Sequence, residues 1–161
     1  MKSSSIVILA GLGLALSACG DRGGASKAFY TKAMQGDASE MMLGDLAAKQ
    51  GASDEVRAYG ATLHTDHAAA GEQVKQAAAS AGVSVPAEPT KEARGEYEKL
   101  SKMSGADFDK EFARYMVDDH KKDIADFEKA AKSSDAKVAK LAGDTLPTLR
   151  KHLEIAQSLP K

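Results

Sequence analysis

Glu40, His67, His120 and His152 fall at inward positions of four different helical segments, one residue to each. Imidazole nitrogens and a carboxylate oxygen in that number are donors for a tetrahedral or five-coordinate site that suits Zn, Cu, Ni or Fe. Two of the histidines sit in similar text: LHTDH ends at His67 and MVDDH ends at His120. Asp66 and Asp119 therefore each precede a histidine by one residue. About 100° around the helix from it, they cannot share its direction, and they are expected to accept a hydrogen bond from an imidazole on a neighbouring helix. The same residues admit a metal-free reading, in which the histidines and Glu40 satisfy one another with help from Tyr59, Tyr115 and the Asp pair. A buried polar cluster of that kind selects helix register, as an Asn does in a coiled coil.

No dinuclear carboxylate centre is expected, because such centres place Glu-x-x-His on two helices. Three residues before His67, His120 and His152 stand His64, Val117 and Leu149. His64, beside the inward residue Leu63, reads as a surface histidine. Met34, Met41, Met42, Met103 and Met116 at helical spacing read as core filling. HExxH, a P-loop, a dinucleotide loop and a nucleophile-base-acid order are all missing, so no catalytic residue is assigned. The enzymatic alternative is a mononuclear metal oxidoreductase using the same four residues.

These side chains need helices to place them. Apolar residues recur three and four apart, with no alternating β-branched run, which predicts an all-α domain with helices over about 27–50, 53–81, 107–132 and 135–158. Gly51 is expected to leave the first helix in a left-handed turn, Ser53 or Asp54 to cap the second, Gly82 to close it and Asp135 to cap the last. Two connections are short. The third is long, contains Pro86 and Pro89, and leaves room for a short helix over about 91–102. One long crossover between two short-looped hairpins is the connectivity of a ferritin-like four-helix bundle. AAKQGASDEVRAYG (47–60) also aligns with AAKSSDAKVAKLAG (130–143), as if one hairpin had been duplicated. At about 1.5 Å of rise per residue the four inward residues fall within roughly two helical turns of one another.

Leu63-x-x-Asp66-His67, Gly105-Ala-x-Phe108-Asp109, Val117-x-Asp119-His120 and Leu146-Pro147-x-Leu149-x-x-His152-Leu153 together resemble the signature of a family of exported bacterial ferritin-like four-helix domains of unknown function. The match spans about residues 29–159. The resemblance implies a fold and an exported setting, and no particular activity.

The N-terminal text agrees with export. One basic residue, Lys2, precedes an apolar run from Ile6 to Leu16 that is too short for a membrane anchor, so residues 1–18 read as a signal peptide. Leu16-Ser17-Ala18-Cys19 resembles a lipobox, and Cys19 is the one cysteine of the chain. Lipidation there would tether residues 27–161 to a membrane through a Gly-rich linker, 19–26. Gly20 in place of Asp resembles the sorting signal for the outer membrane, on its periplasmic side. Removing 18 of the 161 residues leaves 143, with 21 basic residues against 23 acidic once Lys2 is gone. A net charge of −2 without a basic block excludes nucleic acid as a partner. A metal ion or an envelope protein is the expected ligand of this tethered domain. Cys19→Ala should move the protein from the membrane pellet to the soluble fraction and leave its helical circular dichroism unchanged; retention in the pellet would refute lipidation.

Overall fold

The computed structural model describes residues 22–160, and the stretch expected to be a signal peptide, Cys19 and the start of the expected linker lie outside them. Five helices follow in order: α1 Arg22–Gln50, α2 Asp54–Ser80, α3 Lys91–Leu100, α4 Gly105–Ala130 and α5 Ala136–Ser158. Each start has a chemical cause. Ser53 Oγ accepts from Val56 N, Thr90 Oγ1 from Ala93 N, and Asp135 Oδ1 from Lys137 N, so side chains satisfy amide groups that the first helical turn leaves free. Gly82, at φ 70°, closes α2 in the left-handed conformation that favours glycine. Gly51 departs from expectation: among the described residues the positive-φ positions are Gly82 and Gly105. Its role is spatial, since a Cβ there would lie 2.8 Å from both Ala47 O and Val56 Cγ1 in the tight α1–α2 turn.

The contacts fix the topology. Along α1, Phe29 meets Phe127, Lys32 pairs with Asp126, and Glu40 meets His120, so α1 and α4 run antiparallel. Along α2, Asp66 meets His152 while Ser80 meets Lys137, so α2 and α5 are antiparallel too. Because α1 and α2 form a hairpin, α2 and α4 must be parallel. Chain 81–104 therefore has to travel the length of the bundle, which is the ferritin-like crossover. It is strapped to α1 on the way: Ser39 Oγ accepts from Thr90 N, and Gln50 Nε2 donates to Leu100 O and Met103 O. Ala93 and Leu100 of α3 are buried against the bundle. Asp109 ties the base, its two carboxylate oxygens accepting from Ala52 N and Ser53 N at 2.8 Å each. The 47–60 and 130–143 texts do not reach their caps in register, because the α1–α2 turn is shorter than the α4–α5 turn.

The core divides into two apolar clusters. One holds Leu43, Val56, Tyr59, Leu63, Phe108, Phe112 and Met116 near the α1–α2 turn. The other holds Tyr30, Ala33, Met34, Val74, Ala78 and Val138 towards the opposite end. Between them lies a layer of buried polar residues, Asp37, Glu40, His67, His120 and His152, flanked on α5 by Leu149. Close approach of α1 and α2 just below this layer is set by Gly44 and Gly60: a Cβ on either would come within 2.6 Å of the other's carbonyl oxygen. Glycine in a helix interior costs up to ~1 kcal/mol relative to alanine, so its presence here needs a packing reason, and backbone contact is one. Gly44→Ala and Gly60→Ala should each destabilise the domain by about 1–3 kcal/mol in urea unfolding, through overpacking. Gly95→Ala in α3, where a Cβ meets nothing within 4 Å, should be neutral or stabilising. Equal effects at all three positions would contradict this account of the hairpin.

Candidate metal centre

Glu40 on α1, His67 on α2, His120 on α4 and His152 on α5 all face the interior, at 0–5% exposure. The three imidazoles form one group. Their ring centroids lie 6.3 Å apart for His67 and His120, 5.3 Å for His67 and His152, and 5.4 Å for His120 and His152. One nitrogen from each lies within 4.8 Å of the other two. Ligands at the vertices of a tetrahedral site with ~2.0–2.1 Å bonds stand about 3.3 Å apart, so a small inward movement of the rings would close the set on an ion.

The outer nitrogen of each ring is committed. His120 Nδ1 lies 3.0 Å from Met116 O, and because a carbonyl can only accept, Nδ1 carries the proton and Nε2 is a bare lone pair. His67 Nδ1 donates to Asp37 Oδ1 at 2.8 Å, and His152 Nε2 donates to Asp66 Oδ2 at 2.8 Å. What remains is His67 Nε2, His120 Nε2 and His152 Nδ1, buried and without a protein donor among the described residues. Tyr59, a donor the metal-free reading relied on, gives its hydroxyl proton to His152 O in the backbone, not to a ring.

Glu40, expected to complete the same set, stands at its edge. Its carboxylate lies 3.8 Å from His67 Nε2 and 3.5 Å from His120 Nδ1, but it groups with Asp119 and Asp123, whose oxygens are all within 4.8 Å of one another. Neither Glu40 oxygen meets a protein donor when the side chain is ionised. Asp66 bonds an imidazole of a neighbouring helix, as its position predicts. Asp119 turns instead towards Glu40 and away from any such bond. Two participants escaped sequence reasoning. Asp37, which orients His67, lies one turn before Glu40, and Asp123 lies one turn after Asp119; the i,i+3 and i,i+4 spacings were the available signals. His64 is half-exposed beside Asp45, as expected.

Burial governs the electrostatics. It pushes the His120 imidazole down to about 3, with the neighbouring His67 and His152 adding to the shift. It also lowers His152, against the pull of Asp66. His120 and His152 are thus held in the neutral form, the one that binds metal. Burial raises Asp37, Asp119 and, strongly, Glu40, while Asp123 is pushed up to about 7 by burial and then by Asp119. Six polar atoms of the layer lack a partner: Asp37 Oδ2, both Glu40 oxygens and the three ring nitrogens. At about 1 kcal/mol or more each, their cost rivals the ~5–15 kcal/mol stability of a whole domain. A cation or shared protons must offset it.

An opening reaches the layer between α2 and α5. This cleft, of about 230 Å³, is lined by Asp66, His67, Gln73, Asp144, Thr148 and His152 among others. Among the described residues no helix is long and apolar enough to cross a membrane.

A ferritin-like helical bundle with a polar middle layer is the class that fold and site define. The chain belongs to the family described as a domain of unknown function (DUF4142), whose model matches residues 16–159. No curated protein and no solved structure matches it.

The His120 shift has a sign that can be tested on metal-free protein. An unfolded chain takes up this proton near pH 6.5, whereas the folded one refuses it until about pH 3, so this contribution to stability is present above about 6.5 and lost as pH falls towards 3. Asp123 acts oppositely: the folded state keeps a proton that the unfolded state releases, so its contribution declines as pH rises from about 4 to 7. Subtracting His120→Gln from wild type isolates the first effect. The wild-type advantage in urea midpoint should shrink steadily below about pH 6.5, and a constant difference would contradict a neutral buried ring.

Proposed function

We propose that this domain binds a transition-metal ion in the middle of its bundle through His67, His120 and His152, with Glu40 as the adjacent anionic group, and does so tethered to the cell envelope through Cys19. The observation that carries the reading is the orientation of the three rings. Each holds its outer nitrogen on a fixed acceptor and turns a bare nitrogen to a common centre. Acceptors behind the imidazoles fix tautomer and direction and raise ligand basicity, the arrangement common to histidine metal sites. A metal-free register cluster would need an inward donor, and with His120 and His152 giving their ring protons outward that donor would have to be a proton held on Glu40. Imidazole nitrogens suit Zn, Cu, Ni and Fe. Envelope tethering, on the outer membrane, rests on Leu16-Ser17-Ala18-Cys19-Gly20.

The enzymatic alternative, a mononuclear metal oxidoreductase, draws on the α2/α5 cleft, since a reacting centre needs a path from solvent to an open coordination position. Binding without turnover is the simpler reading, because the one carboxylate that meets a ring nitrogen in that cleft, Asp66, is committed to holding the His152 ring.

Full-length protein supplied with Zn²⁺ should retain one ion per chain, with nitrogen ligands at about 2.0–2.1 Å by X-ray absorption. His67→Ala and His120→Ala should lose it, and Asp66→Asn should weaken binding by about 10–100-fold by releasing the His152 ring. Unchanged zinc content in the histidine variants would sink the proposal.

A further inference from the structure

We infer that the carboxylates of Glu40, Asp119 and Asp123 form a second cation site, of oxygen donors, beside the imidazole site and joined to it by Glu40. Three carboxylate oxygens from α1 and α4 lie within 4.8 Å of one another. Glu40 is fully buried in this group with both oxygens unpartnered, and on its other side the orphaned His67 Nε2 is 3.8 Å away. One proton between Glu40 and Asp119 would join two of the three carboxylates and leave Asp123 outside the arrangement. A cation can be shared by all three.

Charge supports the same conclusion independently. Asp37, Glu40, Asp66, Asp119 and Asp123 all belong to the layer, and none pairs with a Lys or Arg among the described residues. The nearest lysines are engaged at the surface, Lys32 with Asp126 and Lys122 with Glu92. Lys122 and Lys32 act on Asp119 and Asp123 only from beyond pairing distance, so buried carboxyls that burial holds towards the protonated form would ionise fully only against a cation of their own. The second site also has its own approach. A cleft of about 420 Å³ lined by Glu92, Glu96, Arg114, Asp118, Asp119 and Lys122 reaches Asp119 between α3 and α4, apart from the α2/α5 cleft. Hard oxygen donors select Mn²⁺, Mg²⁺ or Ca²⁺, whereas the imidazoles select softer ions, so the two positions differ in preference. The absence of Glu-x-x-His argued against a dinuclear carboxylate centre; here the carboxylates arrive by another spacing, i and i+4 on α4 with one from α1.

The inference shares Glu40 with the imidazole reading but does not depend on it. Full-length protein carrying one equivalent of Zn²⁺ is titrated with Mn²⁺, and loss of the free-ion signal in electron paramagnetic resonance counts what is bound. One Mn²⁺ per chain is expected. Asp119→Asn combined with Asp123→Asn should lose the Mn²⁺ and keep the Zn²⁺; these isosteric changes remove buried charge and should not unfold the domain. His120→Ala should lose the Zn²⁺ and keep the Mn²⁺, so failure of the imidazole site is distinguished from failure of this one. If wild type takes up no Mn²⁺, with or without Zn²⁺, or the double variant binds it as wild type does, the carboxylates share protons instead and the second site is overturned.

Discussion

Everything in this bundle is arranged around a polar layer that the hydrophobic effect alone would not build. Two apolar clusters, one around Leu63 and Phe112 and one around Tyr30 and Val74, would be continuous if leucine stood at Glu40, His67, His120 and His152. Putting polar atoms there costs about 1–3 kcal/mol for each one left unpartnered. Only part of that cost is met within the protein, by Asp37, Asp66 and the Met116 carbonyl. Those three acceptors come from three different helices, so helix register and imidazole direction are set together.

The rest of the scaffold serves this constraint. Glycines at 44 and 60 bring the α1 and α2 backbones into contact one turn below Glu40, which lets a short Asp37 side chain reach His67. Asp109 fastens the α1–α2 turn to the start of α4, and so fixes the height of one hairpin against the other at the base. Tyr59 performs the same task across the bundle by holding the backbone of His152 itself. The Asp109 and Tyr59 contacts join parts of the chain that share no short loop. Without them the two hairpins could slide by a residue or two with little change in apolar burial, and the rings would miss one another.

Periodicity made the helices legible to within a few residues, because amphipathic stripes and cap residues act locally. The crossover was legible from loop lengths alone, since a long connection has to go somewhere and a parallel α2/α4 pair is where it leads. The four inward residues were legible for the same reason as the core: they occupy seam positions. Partnerships were harder. Asp66 could be assigned to another helix's imidazole because its angle excluded its own. Asp119, at the same angle, faces a carboxylate, and only the rotation of α4 against α1 decides between the two outcomes. Asp37 went unnoticed because the α1 stripe is wide there, with Ala33, Met34, Asp37 and Glu40 all buried, and one sequence seam picks a single path through it. Gly51 shows the opposite error, a residue given a backbone role whose true role is to leave room.

Ferritin-like topology by itself says little about chemistry, since the fold hosts many sites. What distinguishes this chain is asymmetry between its hairpins. The α1–α2 hairpin supplies one imidazole and three carboxylates, Asp37, Glu40 and Asp66, while α4–α5 supplies two imidazoles and the Asp119 and Asp123 pair. Duplicated hairpins that build a symmetric centre would each bring the same ligands. Here nitrogen donors gather towards α5 and oxygen donors towards the α1/α4 face, with Glu40 between them. Each side has its own cleft to solvent, the α2/α5 one reaching the imidazoles of His67 and His152 and the α3/α4 one reaching Asp119. That separation of the two faces follows from the topology that brought α2 beside α5 and α1 beside α4.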